Sequence, residues 1–472
     1  MLHKVFCPLS SRRCVLSIGL IGLALSTFLL AACVPASSTP STPPSAPKST
    51  AAPAAAAPAA PTAVQQAAPA APTTAPAAGP AQAGSKIQVP ILSSWWDEAG
   101  VKDFMNESKA AFEKANSGIE ISPMRVPYEQ MNDKIVTSIG SSSPPGLVFA
   151  SADTLPNLVN SGNLAAYDQL FPEYKTVFAE PAATNLSFNG KLYAVPIQLA
   201  ARALLYNKQM LADANIQAPT NPDELLSAAK KLTNKDKRIY GYGAMTTEPD
   251  GDILYIKLWL DVVGAGGNFA KDGKPTVNTP EVVQATQNWK ALVDSGVSPM
   301  GVKQGTLREM FWNGQIAMIN DGPWMMASIR NNNPKQFDNT GVALLPTKTH
   351  NSNLVVTGFA MPAKFQNPEA VVKYLKFIST PEWASRYSEL TFNTSAMAQG
   401  LTPEILQKFP WLKTFDEQKK YAILTSPPGL REKYPIFAKV VSDALVKVAN
   451  GTMQVQPALD EAQKRLQQEL GQ

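Results

Sequence analysis

The residues best suited to a binding chemistry are tryptophans that stand beside acids. Trp95 and Trp96 lie next to Asp97, directly after a strand predicted at residues 86–92. An indole offers a flat apolar face to the C–H surface of a sugar ring, and a carboxylate accepts hydroxyl protons. Because α/β sheets bind ligands at the carboxyl ends of their strands, this cluster is the first candidate for a ligand cleft. The alternative is that both indoles pack against the next helix.

Other candidate ligand-binding residues are more scattered along the chain. Asp153 follows a strand predicted at residues 146–150, where its carboxylate either accepts hydroxyl protons or caps the next helix. Trp259 lies in the run 253–263, whose composition predicts a mostly buried helix. The remaining candidates are an aromatic ring, an amide and an acid: Tyr128, Gln198 and Asp252.

The first 33 residues have the pattern of an export signal. Three basic residues precede an apolar run at residues 15–30, which is followed by Leu-Ala-Ala-Cys ending at Cys33. The run is shorter than the roughly 20 apolar residues that cross a bilayer. The tetrad resembles the lipobox of bacterial lipoproteins, which implies a signal peptide at residues 1–32 and a lipid on Cys33. The alternative is an ordinary cleaved signal peptide with an incidental cysteine.

Histidine and cysteine are too scarce for most catalytic sites. After the signal peptide the chain keeps one histidine, His350, and one cysteine, Cys33. Histidine–cysteine pairs and zinc sites with two histidines are therefore excluded, and a Ser-His-Asp triad would need His350, in the polar loop 347–353. A glycosidase needs only two carboxylates and stays open, although capping explains the acids at helix starts. We expect no enzyme activity, no cofactor and no metal.

Residues 33–85 form a linker made almost only of Ala, Pro, Ser and Thr. This linker holds 12 of the 40 prolines and a single charge, Lys48, so it cannot form a core and favours an extended, solvated chain. The body that follows, residues 86–472, is longer than one core usually organises, so we expect two lobes.

Charge gives little support for a macromolecular partner. The formal net charge is +5, and loss of the three basic residues of the signal peptide leaves +2. The mature chain has no basic stripe, so we expect no nucleic-acid partner. With Cys33 as the single cysteine, no disulfide forms within a mature chain. We also expect the protein to be a monomer.

The body of the chain alternates between strand and helix patterns, which predicts an α/β protein. Four helices are predicted to begin where Asn or Thr, Pro and an acid follow one another, at Pro222, Pro280, Pro368 and Pro381. Apolar faces predict helices at residues 101–116 and 368–378, the first with Phe104, Ser108, Phe112 and Ala115 buried. Strands are predicted at residues 86–92, 146–150, 204–206 and 342–345. Pro90 is expected to end or bulge the first of these strands.

Several motifs occur in one order along residues 86–472. They are Pro144-Pro145-Gly146-Leu147-Val148-Phe149-Ala150, Asn189-Gly190-Lys191-Leu192-Tyr193-Ala194-Val195-Pro196, Leu205-Tyr206-Asn207-Lys208, Asn313-Gly314-Gln315-Ile316-Ala317-Met318 with Gly322-Pro323-Trp324, and Ala458-Leu459-Asp460-Glu461. In this order they resemble the sugar-type (family 1) extracellular solute-binding proteins of ABC importers. The second motif is the most specific of the set.

The resemblance implies a two-lobed, periplasmic-binding-protein-like α/β fold, type II-like, with a hinge and a central ligand cleft. It also implies a receptor that captures a mono- or oligosaccharide by lobe closure and delivers it to the membrane subunits of an ABC importer. The expected location is extracytoplasmic, with the lipid on Cys33 anchoring the chain to the outer face of the cell membrane. The implied boundaries are 86–196 plus about 360–395 for lobe 1 and 197–359 plus about 396–472 for lobe 2. The chain would pass from one lobe to the other at crossings near 196–200 and 356–359.

The resemblance also bears on single residues. In the maltodextrin-binding members of that family, the Gly-Pro-Trp motif carries a sugar-stacking tryptophan, which would be Trp324 in this chain. The alternative is that Trp324 lies in the core. Those members have an aromatic residue at the position of Ala150 and an acid at that of Ala200, so we expect a different or smaller solute. Arg202 either meets an anionic group or lies at the surface, and Phe359 is a further stacking candidate.

Other functions stay open from the sequence. The same fold could bind a glycerophosphodiester, a polyamine or a peptide, but no cluster of arginines and no acids between aromatic residues are evident. An exported glycoside hydrolase is a third candidate. The absence of repeats argues against a surface adhesin.

Overall fold

The computed structural model describes residues 86–247, 253–398 and 401–472, which belong to one compact unit, Ala78–Gln472. The predictions for the signal peptide, Cys33, the linker and Asp252 lie outside the described residues. Within those residues, no helix combines the length and the apolar character that a bilayer crossing requires. The same residues contain no group of His, Cys, Asp and Glu side chains arranged to hold a metal ion.

Strands and helices alternate along the described chain. The strands are β1 (Ile87–Ser93), β2 (Ile119–Arg125), β3 (Leu147–Ser151), β4 (Leu164–Ala165), β5 (Ser187–Phe188), β6 (Lys191–Leu192), β7 (Ala194–Ala201), β8 (Ala203–Asn207), β9 (Ala270–Lys271), β10 (Lys274–Pro275), β11 (Met318–Asp321), β12 (Thr340–Ala343), β13 (Ser352–Pro362) and β14 (Ala422–Ile423).

The helices follow in the same chain order. They are α1 (Val101–Ala115), α2 (Tyr128–Ile139), α3 (Leu155–Asn160), α4 (Tyr174–Val177), α5 (Glu180–Asn185), α6 (Lys208–Asp213), α7 (Pro222–Leu232), α8 (Ile253–Gly264), α9 (Pro280–Asp294), α10 (Gln304–Trp312), α11 (Trp324–Asn332), α12 (Pro334–Asn339), α13 (Pro368–Ile378), α14 (Pro381–Thr391), α15 (Pro403–Lys408), α16 (Leu412–Gln418), α17 (Tyr434–Ala449) and α18 (Val455–Glu469). Single turns of 3₁₀ helix lie at Ser94–Trp96, Lys419–Tyr421 and Arg431–Lys433.

The four predicted helix starts are confirmed, because α7, α9, α13 and α14 each begin at the proline of the motif. Asn221 caps α7, since its Oδ1 accepts a hydrogen bond from Glu224 N at 3.0 Å. Thr380 caps α14 in the same way. The predicted side-chain caps are wrong for Thr279 and Asn367, which bond no free amide of their helices. There the proline, which has no N–H to satisfy, and the acid in the first turn favour the helix start without a cap.

The larger sheet has the strand order β2-β1-β3-β13, and β13 also pairs with β7, β4 and β14. β1 is parallel to β2 and β3, whereas β13 is antiparallel to β3 and β7. α1 packs Phe104, Ser108 and Phe112 into the core of this lobe, but Ala115 is exposed. The prediction for Ala115 is wrong because it is the last residue of α1, where the buried stripe ends.

Pro90 does not interrupt β1, so the expected break there is wrong. It pairs in register with Ser122 of β2. Its carbonyl accepts a hydrogen bond from Gly146 N at 2.8 Å on the β3 side. Because β3 pairs with β1 only from Ile91 onward, the missing amide proton falls before that ladder begins.

A smaller sheet has the order β11-β8-β12, with both outer strands antiparallel to β8. Tyr240 and Gly243 form parallel bridges to Ile316 and Ile319, so the segment they belong to continues this sheet beside β11. β11 ends at Asp321, and Gly-Pro then leads into α11. An acid therefore lies at the carboxyl end of this strand.

Two hydrophobic cores divide the described chain into two lobes. The core of lobe 1 takes side chains from residues 89–199 and 354–378, with Tyr387 and Ala396. The core of lobe 2 takes side chains from residues 203–345, Phe392 and residues 405–466. The cores favour crossings near residues 200–203 and 346–353, a few residues from those implied by the resemblance. The lobe boundaries stay a prediction.

Candidate ligand-binding site

Asp321, at the end of β11, is the centre of a polar cluster on lobe 2, and its side chain is fully buried. Both oxygens of its carboxylate accept hydrogen bonds, from two side chains of α10 and from three groups outside that helix. The donors are Arg308 Nε at 2.7 Å, Arg308 Nη2 at 3.0 Å, Gln304 Nε2 at 2.8 Å, Trp324 Nε1 at 2.9 Å, Gly322 N at 2.8 Å and Arg202 Nη1 at 3.2 Å. We call these residues the Asp321 cluster.

Two opposing effects set the ionisation of Asp321. Burial alone raises the pKa of a carboxyl group, because it penalises the charged form. The positive charges of Arg308 and Arg202 outweigh burial and hold the pKa of Asp321 well below its usual range. For Arg308, burial acts to lower the pKa, but the charge of Asp321 raises it overall. The cluster is therefore fully ionised at neutral pH.

The indole of Trp324 is held in one orientation by this cluster. Its Nε1 donates to Asp321, and the Arg202 guanidinium lies 5.1 Å from the ring centroid. A Cβ atom on Gly322 would lie 2.2 Å from Trp324 Cη2, so only glycine leaves room for the ring there. The indole packs against the core of lobe 2 but stays partly exposed, so its role in a cleft stays a prediction.

Lobe 1 presents an acid and a tyrosine to the Asp321 cluster. Glu98 and Tyr128 are among the groups that raise the pKa of Arg308 electrostatically, after Asp321 itself. Backbone packing agrees, because a Cβ atom on Gly100 would lie 2.9 Å from Ala327 Cβ on α11. The cluster therefore lies on the face of lobe 2 that is turned toward lobe 1.

The family model for bacterial extracellular solute-binding proteins matches residues 93–385, more than half of the chain. The chain belongs to this family. A binding protein of Brucella abortus is 26% identical to it over 296 residues, 61% of this chain and 71% of the relative. The galactooligosaccharide-binding protein of Bacillus subtilis is 22% identical over 383 residues, 78% of this chain and 86% of the relative.

Solved structures agree on the fold of this solute-binding protein. An ABC transporter solute-binding protein of Thermotoga lettingae, bound with α-D-tagatose, superposes with a TM-score of 0.75 at 22% identity. The superposition covers 82% of this chain and 100% of that one. The predicted two-lobed α/β fold is confirmed.

The Trp95-Trp96 pair lies in the core of lobe 1. Trp96 is 1% exposed, and its Nε1 donates to Ile91 O at 2.9 Å. Trp95 is 3% exposed, and its ring meets Phe149 and Phe359 edge-on, with centroids 5.6 and 5.2 Å away. In this lobe arrangement both indoles pack internally, and neither offers an open face to a ligand.

Asp153 bonds the segment that precedes α17, in which Leu424 packs against the core of lobe 1 and Leu430 belongs to the core of lobe 2. Its Oδ1 accepts hydrogen bonds from Ser426 N, at 3.0 Å, and from Ser426 Oγ. On the same segment, Arg431 Nη2 donates to Ala152 O at 3.1 Å and Asn185 O at 3.2 Å. This segment leads from the lobe 1 core into α17 of the lobe 2 core, so Asp153 contacts a connection between the two cores. At the start of α3, the N-cap residue is Thr154, whose side chain makes no cap hydrogen bond.

Three other candidate residues are enclosed, either in the core of one lobe or between β7 and β13, the strands that we call the hinge strands. Gln198 Nε2 donates to Asn393 Oδ1 at 3.2 Å, and Gln198 Oε1 accepts from Thr357 Oγ1 at 3.0 Å. Phe359 is fully buried in the core of lobe 1, and Trp259 is buried on α8 in the core of lobe 2. Asp97, by contrast, is exposed and pairs with Arg125 at the surface.

The structure brings Arg202 and Trp324 together but adds residues that sequence reasoning missed. The surface alternative for Arg202 is wrong, because its side chain is buried and ion-paired with Asp321 at 3.2 Å. Asp321 lies at the end of a strand and close to a tryptophan, directly before Gly-Pro-Trp. The same pattern made Asp97 a candidate, so it could also have identified Asp321. Gln304 and Arg308 have no comparable signal, since they are polar residues on an ordinary helix.

Proposed function

We propose that this chain captures a carbohydrate between its two lobes and delivers it to the membrane subunits of an ABC importer. Family membership supports a solute-binding role. The saccharides named for the Bacillus subtilis relative and the Thermotoga lettingae structure support the ligand class. Within the chain, the observation that carries the proposal is the oriented, partly exposed indole of Trp324 on the face turned toward lobe 1.

The fixed indole suits a sugar for a physical reason. A pyranose ring presents C–H groups on its faces, and these pack on an aromatic ring, while its hydroxyl groups need polar partners. Because Asp321 and Arg202 already hold the Trp324 ring, binding costs little additional ordering of that side chain. Arg202 and Arg308 share the carboxylate of Asp321, whose single negative charge compensates one of their two positive charges.

Lobe closure would complete the site from the other side. Glu98 and Tyr128 lie close enough to act electrostatically on Arg308, so a ligand on Trp324 would have polar groups of lobe 1 within reach. A ligand that contacts both lobes stabilises their closed arrangement by its differential affinity for it. The contacts of Asp153 and Arg431 between the lobes would then act as part of the hinge.

The ligand is proposed to differ from maltodextrin. Ala150 and Ala200 stand where maltodextrin binders of the family carry an aromatic residue and an acid, and both alanines are buried. Neither can supply a stacking ring or a carboxylate to a bound chain of glucose units. A smaller or differently shaped saccharide fits these substitutions better.

We propose that the chain binds its ligand without catalysing a reaction on it. A glycosidase needs one carboxyl group that donates a proton and a second that acts as nucleophile or base. The depressed pKa of Asp321 excludes it as a proton donor near neutral pH. Its two oxygens are also occupied by donors from Arg202, Arg308 and Gln304, so it is not a free nucleophile.

The proposal extends to location. The Leu-Ala-Ala-Cys tetrad after an apolar run supports a lipid on Cys33, and the linker to residue 85 supports a tether between membrane and lobes. A chain held in this way outside the cytoplasm meets the solute before the importer does.

A thermal-shift panel on the purified mature chain tests the ligand class. The panel contains mono- and oligosaccharides, polyols, amino acids and glycerol phosphates. A true ligand at about 100 times its Kd adds about 2.7 kcal/mol to the free energy of unfolding. The variant Trp324→Ala should lose this shift, whereas Trp312→Ala, which removes a partly exposed tryptophan outside the cluster, should keep it. A panel in which only a non-saccharide class shifts the transition would overturn the carbohydrate assignment.

A further inference from the structure

The guanidinium of Arg308 has one nitrogen that the Asp321 cluster does not use. Its Nε and Nη2 donate to Asp321 at 2.7 and 3.0 Å. Its Nη1 bonds none of the described residues and keeps solvent-accessible surface, on a side chain that is 29% exposed. Because a guanidinium stays charged and each of its nitrogens donates, Nη1 is an open, charged hydrogen-bond donor.

This open donor lies beside the indole that is proposed to hold the ligand. Arg308 Nη2 and Trp324 Nε1 donate to the same oxygen, Asp321 Oδ1, at 3.0 and 2.9 Å. The shared acceptor holds the guanidinium next to the nitrogen edge of the indole. A ligand at Trp324 would therefore have Arg308 Nη1 within reach.

Glu98 of lobe 1 lies across from this donor. Ala99 packs against the core of lobe 2, and Gly100 lies against α11, since a Cβ atom added to it would be 2.9 Å from Ala327 Cβ. Glu98 directly precedes these two residues and is partly exposed. Its charge is felt by Arg308. A carboxylate of lobe 1 is thus placed near a guanidinium of lobe 2.

Glu98 and Arg308 attract each other without forming an ion pair. Among the described residues, Arg308 forms its ion pair with Asp321 alone. The side chain of Glu98 is held on its own lobe, because its Oε1 accepts a hydrogen bond from Ser94 Oγ at 2.6 Å. A separation beyond direct contact is what a bridging oxygen requires, since it needs about 2.8 Å to each of its partners.

We propose that a hydroxyl group of the ligand bridges Glu98 and Arg308, so that these two residues select a hydroxylated ligand and connect the lobes through it. This inference rests on the proposed capture of a carbohydrate at Trp324. The hydroxyl oxygen accepts a hydrogen bond from Arg308 Nη1, and its proton is donated to the carboxylate of Glu98. Both hydrogen bonds have a charged partner, which makes them stronger than bonds between neutral groups.

The opposite charges of the two residues explain why a hydroxyl group fits between them. A carboxylate of the ligand could accept from Arg308, but Glu98 would repel it. An ammonium group could donate to Glu98, but Arg308 would repel it. An ether oxygen could accept from Arg308 but has no proton for Glu98. A single uncharged oxygen that both accepts and donates satisfies both residues.

The bridge also couples binding to closure of the lobes. Its two partners belong to different lobes, so both hydrogen bonds form together only when the lobes are close. A ligand shifts the lobes toward the arrangement for which it has the higher affinity. The bridging hydroxyl group would therefore supply part of the affinity that favours the closed arrangement.

Isothermal titration calorimetry on the full mature chain tests the bridge. The uncharged probes are D-glucose, D-galactose, D-tagatose, lactose and ribitol. Glu98→Ala should weaken binding of the tightest probe about 10- to 100-fold, the range for a hydrogen bond to a charged group. Glu98→Gln, which keeps an acceptor oxygen at the same place, should weaken it less. In the control Glu120→Gln affinity should not change, because Glu120 bonds Gln88 at the start of β1, the opposite end of that strand from Glu98.

The monodeoxy forms of the same probe identify the bridging hydroxyl group. One of these forms should bind wild type about 10- to 100-fold more weakly than the parent probe. Glu98→Ala should reduce that difference. Arg308→Lys, which keeps a positive charge beside Asp321 but removes Nη1, should reduce it for the same deoxy form. A variant that only loosened the packing would weaken the parent and every deoxy form alike.

The outcomes separate this inference from the carbohydrate assignment itself. If the probes lose affinity in Trp324→Ala but keep it in Glu98→Ala, the assignment stands and the bridge is overturned. Variants that act on different hydroxyl groups, or that weaken all forms equally, also overturn the bridge. Binding of no uncharged probe overturns both proposals. Melting curves check the fold, and the comparison of Glu98→Ala with Glu98→Gln decides alone if Arg308→Lys does not fold.

Discussion

Among single residues, Asp321 carries the charge on which the candidate site most depends. It is fully buried and is the ion-pair partner of both Arg202 and Arg308. Asp321→Asn keeps the shape of the side chain but leaves those two positive charges without their counter-charge. Removing one partner of a buried ion pair typically costs about 3–5 kcal/mol. We expect this variant to lower the free energy of unfolding by about that amount, measured by urea denaturation at pH 7.

The pH dependence of that difference follows from the depressed pKa of Asp321. The contribution of such a group is fully present above its unfolded pKa, about 3.9, and is lost as pH falls through the lower folded pKa. The gap between wild type and variant should stay constant from about pH 7 to 5 and shrink below about pH 4. The control Asp97→Asn breaks an exposed pair with Arg125 and should change the free energy by less than about 1 kcal/mol. A gap that already narrows above pH 5 would contradict the assignment.

The candidate site shows which residues a sequence can reveal. Trp324 is predictable because its motif is local. Arg202 is predictable because it stands close to the first expected passage of the chain between the lobes. Their link through Asp321 is not, since Arg202 and Asp321 are 119 residues apart and meet only when β8 pairs with β11. Trp95 and Trp96 show the opposite case. Their position after a strand is predictable, but the 3₁₀ turn that directs both indoles into the core is not.

At the scale of elements, β13 and β7 join the lobes, and Gly358 is where their pairing shifts register. A Cβ atom on Gly358 would lie 2.0 Å from Val195 O, a backbone atom that cannot move aside. We expect Gly358→Ala to destabilise the protein by about 1–3 kcal/mol, the usual cost of overpacking. Gly118→Ala is the control, because nothing lies within 4 Å of its Cβ position. Stability measured by urea denaturation should fall for the first variant and stay level or rise by up to about 1 kcal/mol for the second. Equal effects would show that the contact is easily relieved.

Elements were largely predictable because their signals are local. Proline with an acid in the first turn marks the start of α7, α9, α13 and α14, whatever the rest of the fold does. The crossings between lobes were harder to predict. β7 and β13 are long, wholly or mostly buried strands, so nothing in their hydrophobic pattern marks where one core ends and the other begins.

For the whole molecule, the two lobes are linked by more than covalent crossings. Gln198 binds both Thr357 and Asn393, which ties the hinge strands to the segment after α14. Asp153 and Arg431 add contacts on the side of α3. Under the proposed capture of a ligand between the lobes, closure would pivot about these contacts.

The proposed location of the whole molecule depends on a lipid at Cys33. A diacylglycerol contributes about 0.8 kcal/mol per buried CH₂ group, and two acyl chains suffice for stable anchoring. We expect Cys33→Ala to move the mature chain from the membrane pellet to the soluble fraction, with saccharide affinity unchanged because the described residues that form the two lobes begin at Lys86. Cys14→Ala, within the signal peptide, is the control and should leave the chain in the pellet. Mass spectrometry of the mature N-terminus supplies the decisive measurement. An unmodified Cys33 in soluble wild-type chain would mean that the segment is an ordinary cleaved signal peptide.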